Sequence, residues 1–221
     1  MSSTDFQLTV GGTVRPSLHT YIERPADKDL LEACLAMEYS YVLAPRQIGK
    51  SSLVARVAVD LAARGYKTAI IDLNSVGIDV TNEEWYFGIL KEICRDLDLT
   101  DSFEEWWDQQ IEPMSLVQRF ISFIRDILLP RTGERTVIFI DELDVTLGLS
   151  FTDDFFAALR TLYNDRVKYD ALNRLAFVLI GVVTPDKLIK DPKRTPYNVG
   201  RPIDIRDFTL AECEPFQHVL S

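Results

Sequence analysis

Cysteine is scarce in this 221-residue sequence: Cys34, Cys94 and Cys213 are odd in number, far apart, in no CxxC spacing and without a neighbouring histidine. That excludes a disulfide framework or a zinc site of ordinary ligand spacing, and the three read as reduced thiols in the core or at the surface. Long apolar runs are missing as well. The longest, Leu175 to Val183, is about half of the ~20 residues that cross a bilayer, and the opening MSSTDFQLTVGGTV has no basic stretch followed by an apolar one. A cytoplasmic location is therefore expected. Positive charge is in deficit, with 24 Lys+Arg against 34 Asp+Glu and a formal net charge of −10. A nucleic-acid partner would need a local basic patch working against that overall field. No repeat at a period of about 20 to 50 residues and no low-complexity tract is visible, which argues against solenoids and propellers.

What is present is an ordinary globular composition, 47% hydrophobic and 26% charged, in a length that suits one large domain or one domain with a short appendage. Strand and helix signals alternate. Tyr39 to Leu43 is a short apolar run, Ala44 to Gln47 breaks it, and Leu53, Val54, Val57, Ala58 and Leu61 then recur at helical spacing. Gly65 stands where that helix would stop, and Lys67 to Leu73 predicts a second strand, apolar on both faces. Asn82 could cap a helix carrying Trp85, Phe87, Leu90 and Ile93. Phe103 to Trp107 reads as a helical insertion, its adjacent Trp106 and Trp107 forming either a packed flap or a surface for a partner subunit. Ser115 caps a helix with Val117, Phe120, Ile121, Ile124 and Leu128 on one face, ended by the turn Pro130 to Gly133. Thr136 to Ile140 is a third strand, apolar enough for the centre of a parallel sheet. Asp153 and Asp154 open a helix, Leu175 to Val183 is a fourth strand, and Pro202 to Ile205 a short fifth. Parallel neighbours need crossovers, so this alternation predicts a three-layer α/β fold with a mostly parallel sheet. Ligands of such sheets bind beyond the carboxyl ends of the strands, here just after Leu43, Ile140 and Val183.

The segment after the first strand is APRQIGKSS, Ala44 to Ser52, which matches the phosphate-loop pattern GxxxxGK[ST] except that Ala44 replaces the first glycine. The loop residues Pro45, Arg46, Gln47, Ile48 and Ser52 would line a phosphate, with backbone N–H groups curling round it. Gly49 permits close approach of the main chain, Lys50 neutralises the β- and γ-phosphates, and the Ser51 hydroxyl ligates Mg²⁺. The third strand runs into Asp141-Glu142-Leu143-Asp144. Asp141 could hold Mg²⁺ through water, and Glu142 could deprotonate an attacking water; acids also simply mark a strand leaving the core. Thr184 after the fourth strand either faces a γ-phosphate or caps a helix begun at Pro185. Lys190, Lys193, Arg194 and Arg201 form the one basic cluster of note. It is either a solvated face or the source of an arginine finger, acting in cis or from a neighbouring subunit, for which Arg194 and Arg201 have the suitable planar fork.

On the segments YVLAPRQIGKSSL, IDLNSVG, VIFIDELD, FTDDFFAALR, LIGVVTPDKLI and RTPYNVGRPIDI, the chain resembles the AAA-like domain of cyanobacterial and other bacterial multidomain signalling proteins. That group is similar to the STAND ATPases of the ASCE division of P-loop NTPases. The resemblance runs from about Phe6 to Phe208. It implies a five-stranded parallel sheet in the order 5-1-4-3-2, Mg²⁺ and ATP as ligands, Glu142 as catalytic base and Thr184 as sensor. It also implies an adenine-side role for the stretch Tyr21 to Leu30, including Arg24, although Glu23 stands where glycine is usual; bottom-up, Ala26 to Cys34 is a short amphipathic helix that could simply pack.

The expected organisation is an N-terminal extension over 1–20, a nucleotide-binding core over 21–207, and over 208–221 a tail or the start of a lid region. Relatives of this kind continue into a lid and then sensor or effector modules, so the sequence reads as a core cut from a longer protein rather than a self-sufficient member. The leading expectation is a module that binds Mg-ATP and hydrolyses it slowly, coupling nucleotide state to conformation or assembly, with effector domains and a nucleotide-dependent homo-oligomer as partners. The alternatives are a nucleic-acid-handling ATPase, disfavoured by the charge, and a non-catalytic nucleotide-binding scaffold, prompted by Ala44.

Overall fold

A computed structural model describes residues 21–77, 79–109, 114–182, 200–209 and 212. Its centre is a five-stranded parallel sheet in the order β2-β3-β4-β1-β5, comprising β1 (Ser40–Leu43), β2 (Lys67–Asp72), β3 (Thr136–Asp141), β4 (Leu175–Gly181) and β5 (Arg201–Pro202). Read from the other edge, this is the expected 5-1-4-3-2. β3 and β4 are buried almost along their whole length. Continuous apolar sequence is what a strand covered on both faces requires.

β2 departs from expectation. Ala69 and Ile71 are buried while Ile70 is exposed, because β2 is the edge strand and only one of its faces is covered. Its edge is partly blocked where the Ile70 N–H donates to Asp96 Oδ2 at 2.9 Å, which reduces the free hydrogen-bonding rim of the strand. β5 is shorter and earlier than Pro202 to Ile205, although the Ile203 N–H still donates to the Tyr41 carbonyl at 2.9 Å.

The helices are α1 (Pro25–Leu35), α2 (Lys50–Ala62), α3 (Leu73–Val76), α4 (Asn82–Asp96), α5 (Thr100–Asp108), α6 (Leu116–Ser122), α7 (Leu129–Thr132) and α8 (Thr152–Asn164). Thr81, not Asn82, caps α4: its hydroxyl accepts from the Glu84 N–H at 3.2 Å, and Glu84 Oε2 accepts from the Thr81 N–H at 2.7 Å. Threonine three residues before glutamate makes this reciprocal pair, so Asn82 is free to be the first helical residue. Ser115 caps α6 as expected. That helix passes through a π-helical stretch, Phe123–Leu128, into α7. Phe120, Phe123 and Ile124 are buried at ordinary helical spacing while Val117 and Ile121 are only partly covered, and the wider turn then brings Leu129 into the core beside Leu128. Pro130 lies inside the last turn rather than ending it; the stop is Gly133, at φ 65°. The Trp-rich α5 packs inward: Phe103 is fully buried, and Trp106 and Trp107 sit 5.1 and 5.7 Å by ring centroids from Phe123 and Phe103. Of the thiols, Cys34 and Cys94 are buried and free, each pushed up to about pKa 12 by burial. Cys213 lies outside the described residues.

Candidate functional site

The carboxyl ends of β1, β3 and β4 converge on the loop between β1 and α2. Ala44 continues the ladder rather than opening the loop: its N–H donates to the Gly181 carbonyl at 3.1 Å, and its backbone is not among those with positive φ. A glycine's freedom is therefore not needed at that position. The turn is made instead by Gln47 at φ 65° and Gly49 at φ 99°, two left-handed residues that reverse the chain into α2. Lys50, the first residue of that helix, is buried and folds back over the loop, its Nζ donating to the Ala44 and Pro45 carbonyls at 2.9 Å each. Burial lowers its pKa, while Asp141, Glu142 and Asp144 oppose that shift. A desolvated ammonium inside a curled loop at a helix N-terminus is an anion-binding arrangement.

Facing it, β3 ends in Asp141. The Ser51 hydroxyl lies 3.3 Å from Asp141 Oδ2, and the Glu142 N–H donates to Asp141 Oδ1 at 2.8 Å. Glu142 adopts φ 58°, ψ 44°, a left-handed conformation uncommon for a residue with a Cβ, and turns the chain into a 3₁₀ segment, Leu143–Gly148. Burial, then Asp144, then Asp141 push the Glu142 carboxyl above the ordinary carboxylate range. Asp141 is also raised, chiefly by burial.

These residues fit a magnesium–nucleotide. Ser51 and Asp141 offer the one hydroxyl and one carboxylate with which Mg²⁺ is held when phosphate and water supply its other ligands. Among the described residues no group of three or more His, Cys, Asp or Glu is placed to hold a metal by itself.

Several expected site residues are brought together: Pro45, Arg46, Gln47, Ile48, Gly49, Lys50, Ser51 and Ser52 on the loop and helix start, with Asp141 and Glu142 opposite. Arg24 joins them, its Nη1 donating to the Ile48 carbonyl at 2.7 Å. Arg201 does not. It pairs in register with Ser40, at the amino end of β1, roughly 10 Å of strand away from Leu43. There it lies 3.6 Å from Glu38 and 3.9 Å from Asp29. Within one chain this excludes it as a finger for the loop's own phosphate. Thr184 and Arg194, with Lys190 and Lys193, lie outside the described residues.

Three contributors escaped the sequence reading. Asp144 receives Arg46 Nη2 at 3.5 Å and helps raise Glu142. Asp72 stands opposite Asp141 in the β2–β3 register. Gly181 admits Leu143, whose Cβ lies 3.1 Å from where a Cβ on that glycine would be. The acid at the end of β2 was the legible sign for Asp72; the other two depend on the turn after β3.

A family model for the AAA-like domain matches residues 9–220, almost the whole sequence. The chain belongs to the AAA-like domain family. This AAA-like domain is 38% identical over 218 residues to an uncharacterized WD repeat-containing protein of Synechocystis, a match covering 97% of this chain and 18% of that protein. Among solved structures it resembles the ORC2 protein of Aeropyrum pernix in its ADP form, with TM-score 0.59, 14% identity, and coverage of 96% of this chain and 53% of that one. It also resembles a Walker-type ATPase of Pyrococcus abyssi, with TM-score 0.57, 19% identity, and coverage of 93% and 61%. These likenesses show a P-loop ATPase fold. The AAA-like domain thus spans under a fifth of the curated relative and about half to three-fifths of the two structural neighbours. Among the described residues no helix is long and apolar enough to cross a membrane.

Proposed function

We propose that this AAA-like domain is the ATP-binding module of a STAND-like signalling switch, hydrolysing ATP slowly and converting nucleotide state into a change of conformation or assembly. The observation that carries the reading is the convergence of Lys50, Ser51, Asp141 and Glu142 at the carboxyl edge of the sheet, with Ser51 and Asp141 3.3 Å apart. The magnesium–nucleotide would supply the reactive phosphoanhydride and the cation that shields its charge. Lys50 exchanges its two carbonyl bonds for phosphate oxygens. The loop N–H groups and the α2 N-terminus orient the polyphosphate. Glu142 takes a proton from the attacking water at its carboxylate, a role suited to a carboxyl held above its ordinary pKa. Thr184 as a sensor of the terminal phosphate and Arg194 as a finger, within the chain or from a second copy, belong to the same proposal.

The signalling role is supported by the identity with a much longer WD repeat-containing protein, in which this domain would be the nucleotide-dependent element among other modules. The net charge of −10 and the carboxylates crowding the site argue against a DNA-handling ATPase. Equilibrium binding of a fluorescent ATP analogue and phosphate release test the reading together. Wild type should bind in a Mg²⁺-dependent way, Lys50→Ala should lose at least tenfold in affinity, and Glu142→Gln should keep binding while losing turnover. A wild-type chain without affinity, or a Lys50→Ala chain binding as tightly as wild type, would end it.

A further inference from the structure

Arg24 is 6% exposed, although it carries a full charge. Capping α1 does not account for its burial, because the cap is made by the main chain: the Arg24 N–H donates to Asp27 Oδ2 at 2.8 Å and its carbonyl accepts from the Asp27 N–H at 3.0 Å. The side chain instead leaves its own helix for the phosphate loop. Nη1 donates to the Ile48 carbonyl at 2.7 Å, and Nη2 lies 2.9 Å from where a Cβ on Gly49 would stand. On another side, the guanidinium carbon is 4.9 Å from the ring centroid of Phe208, a cation–π distance.

Phe208 belongs to the chain leaving β5, where described residues on either side of it make local bonds. Arg206 Nη2 donates to Glu212 Oε1 at 2.8 Å, the Thr209 N–H to Glu212 Oε2 at 2.7 Å, and the Glu212 N–H to Thr209 Oγ1 at 3.3 Å. Among the described residues the cationic contact recorded for the ring is Arg24, the residue that braces the loop.

We propose that Arg24 is a positioning residue that ties the phosphate loop to the chain leaving β5. With its fork on the Ile48 carbonyl, the loop keeps the curl in which Gly49 and Lys50 face a phosphate. With Phe208 over the fork, any shift of the outgoing chain reaches the loop. Coupling is reciprocal, so whatever stiffens the loop also holds Phe208. The effect on nucleotide rests on the proposed nucleotide binding; the mechanical tie does not.

The test reads the tie without ligand first. Hydrogen exchange of the Leu53 amide, bonded to the Gly49 carbonyl at 3.0 Å, is measured in the nucleotide-free chain. Phe208→Ala and Arg24→Lys should each speed it by about two- to five-fold, the range a partly exposed cation–π contact supports. The double variant should be no faster than Arg24→Lys alone, and amides of β3 should not change. Phe208 is partly exposed, so its truncation spares the fold even if the arginine variant does not. Unchanged Leu53 exchange in Phe208→Ala, or effects that multiply in the double variant, would overturn the tie. A second arm measures ADP affinity, which Phe208→Ala should weaken by a similar factor. If wild type binds no nucleotide while the exchange effects hold, the nucleotide reading fails and the tie stands; if wild type binds and Phe208→Ala alters neither readout, the tie fails alone.

Discussion

The Ser51 hydroxyl lies 3.3 Å from an Asp141 carboxylate oxygen, across 90 residues of sequence, and burial holds that carboxyl above its ordinary pKa. The signs of metal binding and of metal-free stability are therefore opposed. A carboxyl whose pKa is higher in the folded than in the unfolded chain contributes most below the unfolded value, and that contribution is lost as pH rises through the folded pKa.

From this follows the behaviour of Asp141→Asn, which mimics the protonated form. Without Mg²⁺ it should melt at or above the wild-type temperature at pH 7, and the decline in melting temperature from about pH 4 upward should be shallower. Adding MgCl2 with ADP should raise the wild-type melting point more than that of the variant, which keeps Lys50 and the loop but loses the carboxylate for the cation. Thermal melts over that pH range, with and without Mg·ADP, check both halves.

Glu142 feels two neighbours of opposite effect. Asp144 raises its pKa and Arg46 lowers it, and the two meet at 3.5 Å. If Glu142 is the base, Asp144→Asn should move the acid limb of the turnover profile to lower pH, and Arg46→Ala should move it to higher pH. Single-turnover rates from pH 5 to 8 at saturating Mg·ATP separate these shifts from any change in affinity. Limbs moving together, or not at all, would remove Glu142 from the role.

Gly49 combines φ 99° with an Arg24 nitrogen 2.9 Å from its missing Cβ. Gly49→Ala meets both constraints at once. The left-handed backbone alone costs on the order of 1 to 2 kcal/mol, and the contact forces either the loop or the Arg24 fork aside. Urea denaturation should show that loss, with nucleotide affinity falling further than stability. Gly133→Ala is the control: its φ is 65° and nothing lies within 4 Å of a Cβ there, so it should lose stability without touching affinity.

The elements that were legible in the sequence are those with strong local causes. Apolar β3 and β4, the Ser115 cap and the GKS start of α2 each follow from residues within a few positions. What was illegible depends on distant neighbours. Ile70 is apolar yet exposed because β2 is the edge strand, which no property of Lys67 to Asp72 announces. Leu129 is buried beside Leu128 because a π turn shifts the register of its helix. Arg201 belongs with Asp29 and Glu38 because β5 lies beside β1 at that strand's amino end, whereas membership of a basic cluster and a planar fork suggested a phosphate. The phosphate loop itself was legible since its function needs contiguous backbone; the Arg24 brace was not, since Ile48 offers only a carbonyl.

At the end of the sheet away from the loop, Arg166 acts as a clamp on the fold alone. Its Nη2 donates to the Met37 carbonyl at 2.8 Å and also to the Leu175 carbonyl, and its guanidinium carbon lies 4.7 and 4.8 Å from the ring centroids of Tyr39 and Tyr163. Burial lowers its pKa, partly offset by the two tyrosines. Arg166→Met keeps much of the volume and removes the donors, leaving two carbonyls to find other partners. The loss should be on the order of 2 kcal/mol, read as a lower urea midpoint with an unchanged slope. Leu175 begins β4, and β4 reaches the loop only at Gly181, so nucleotide affinity should not change. An affinity loss as large as the stability loss would instead place Arg166 in communication with the site.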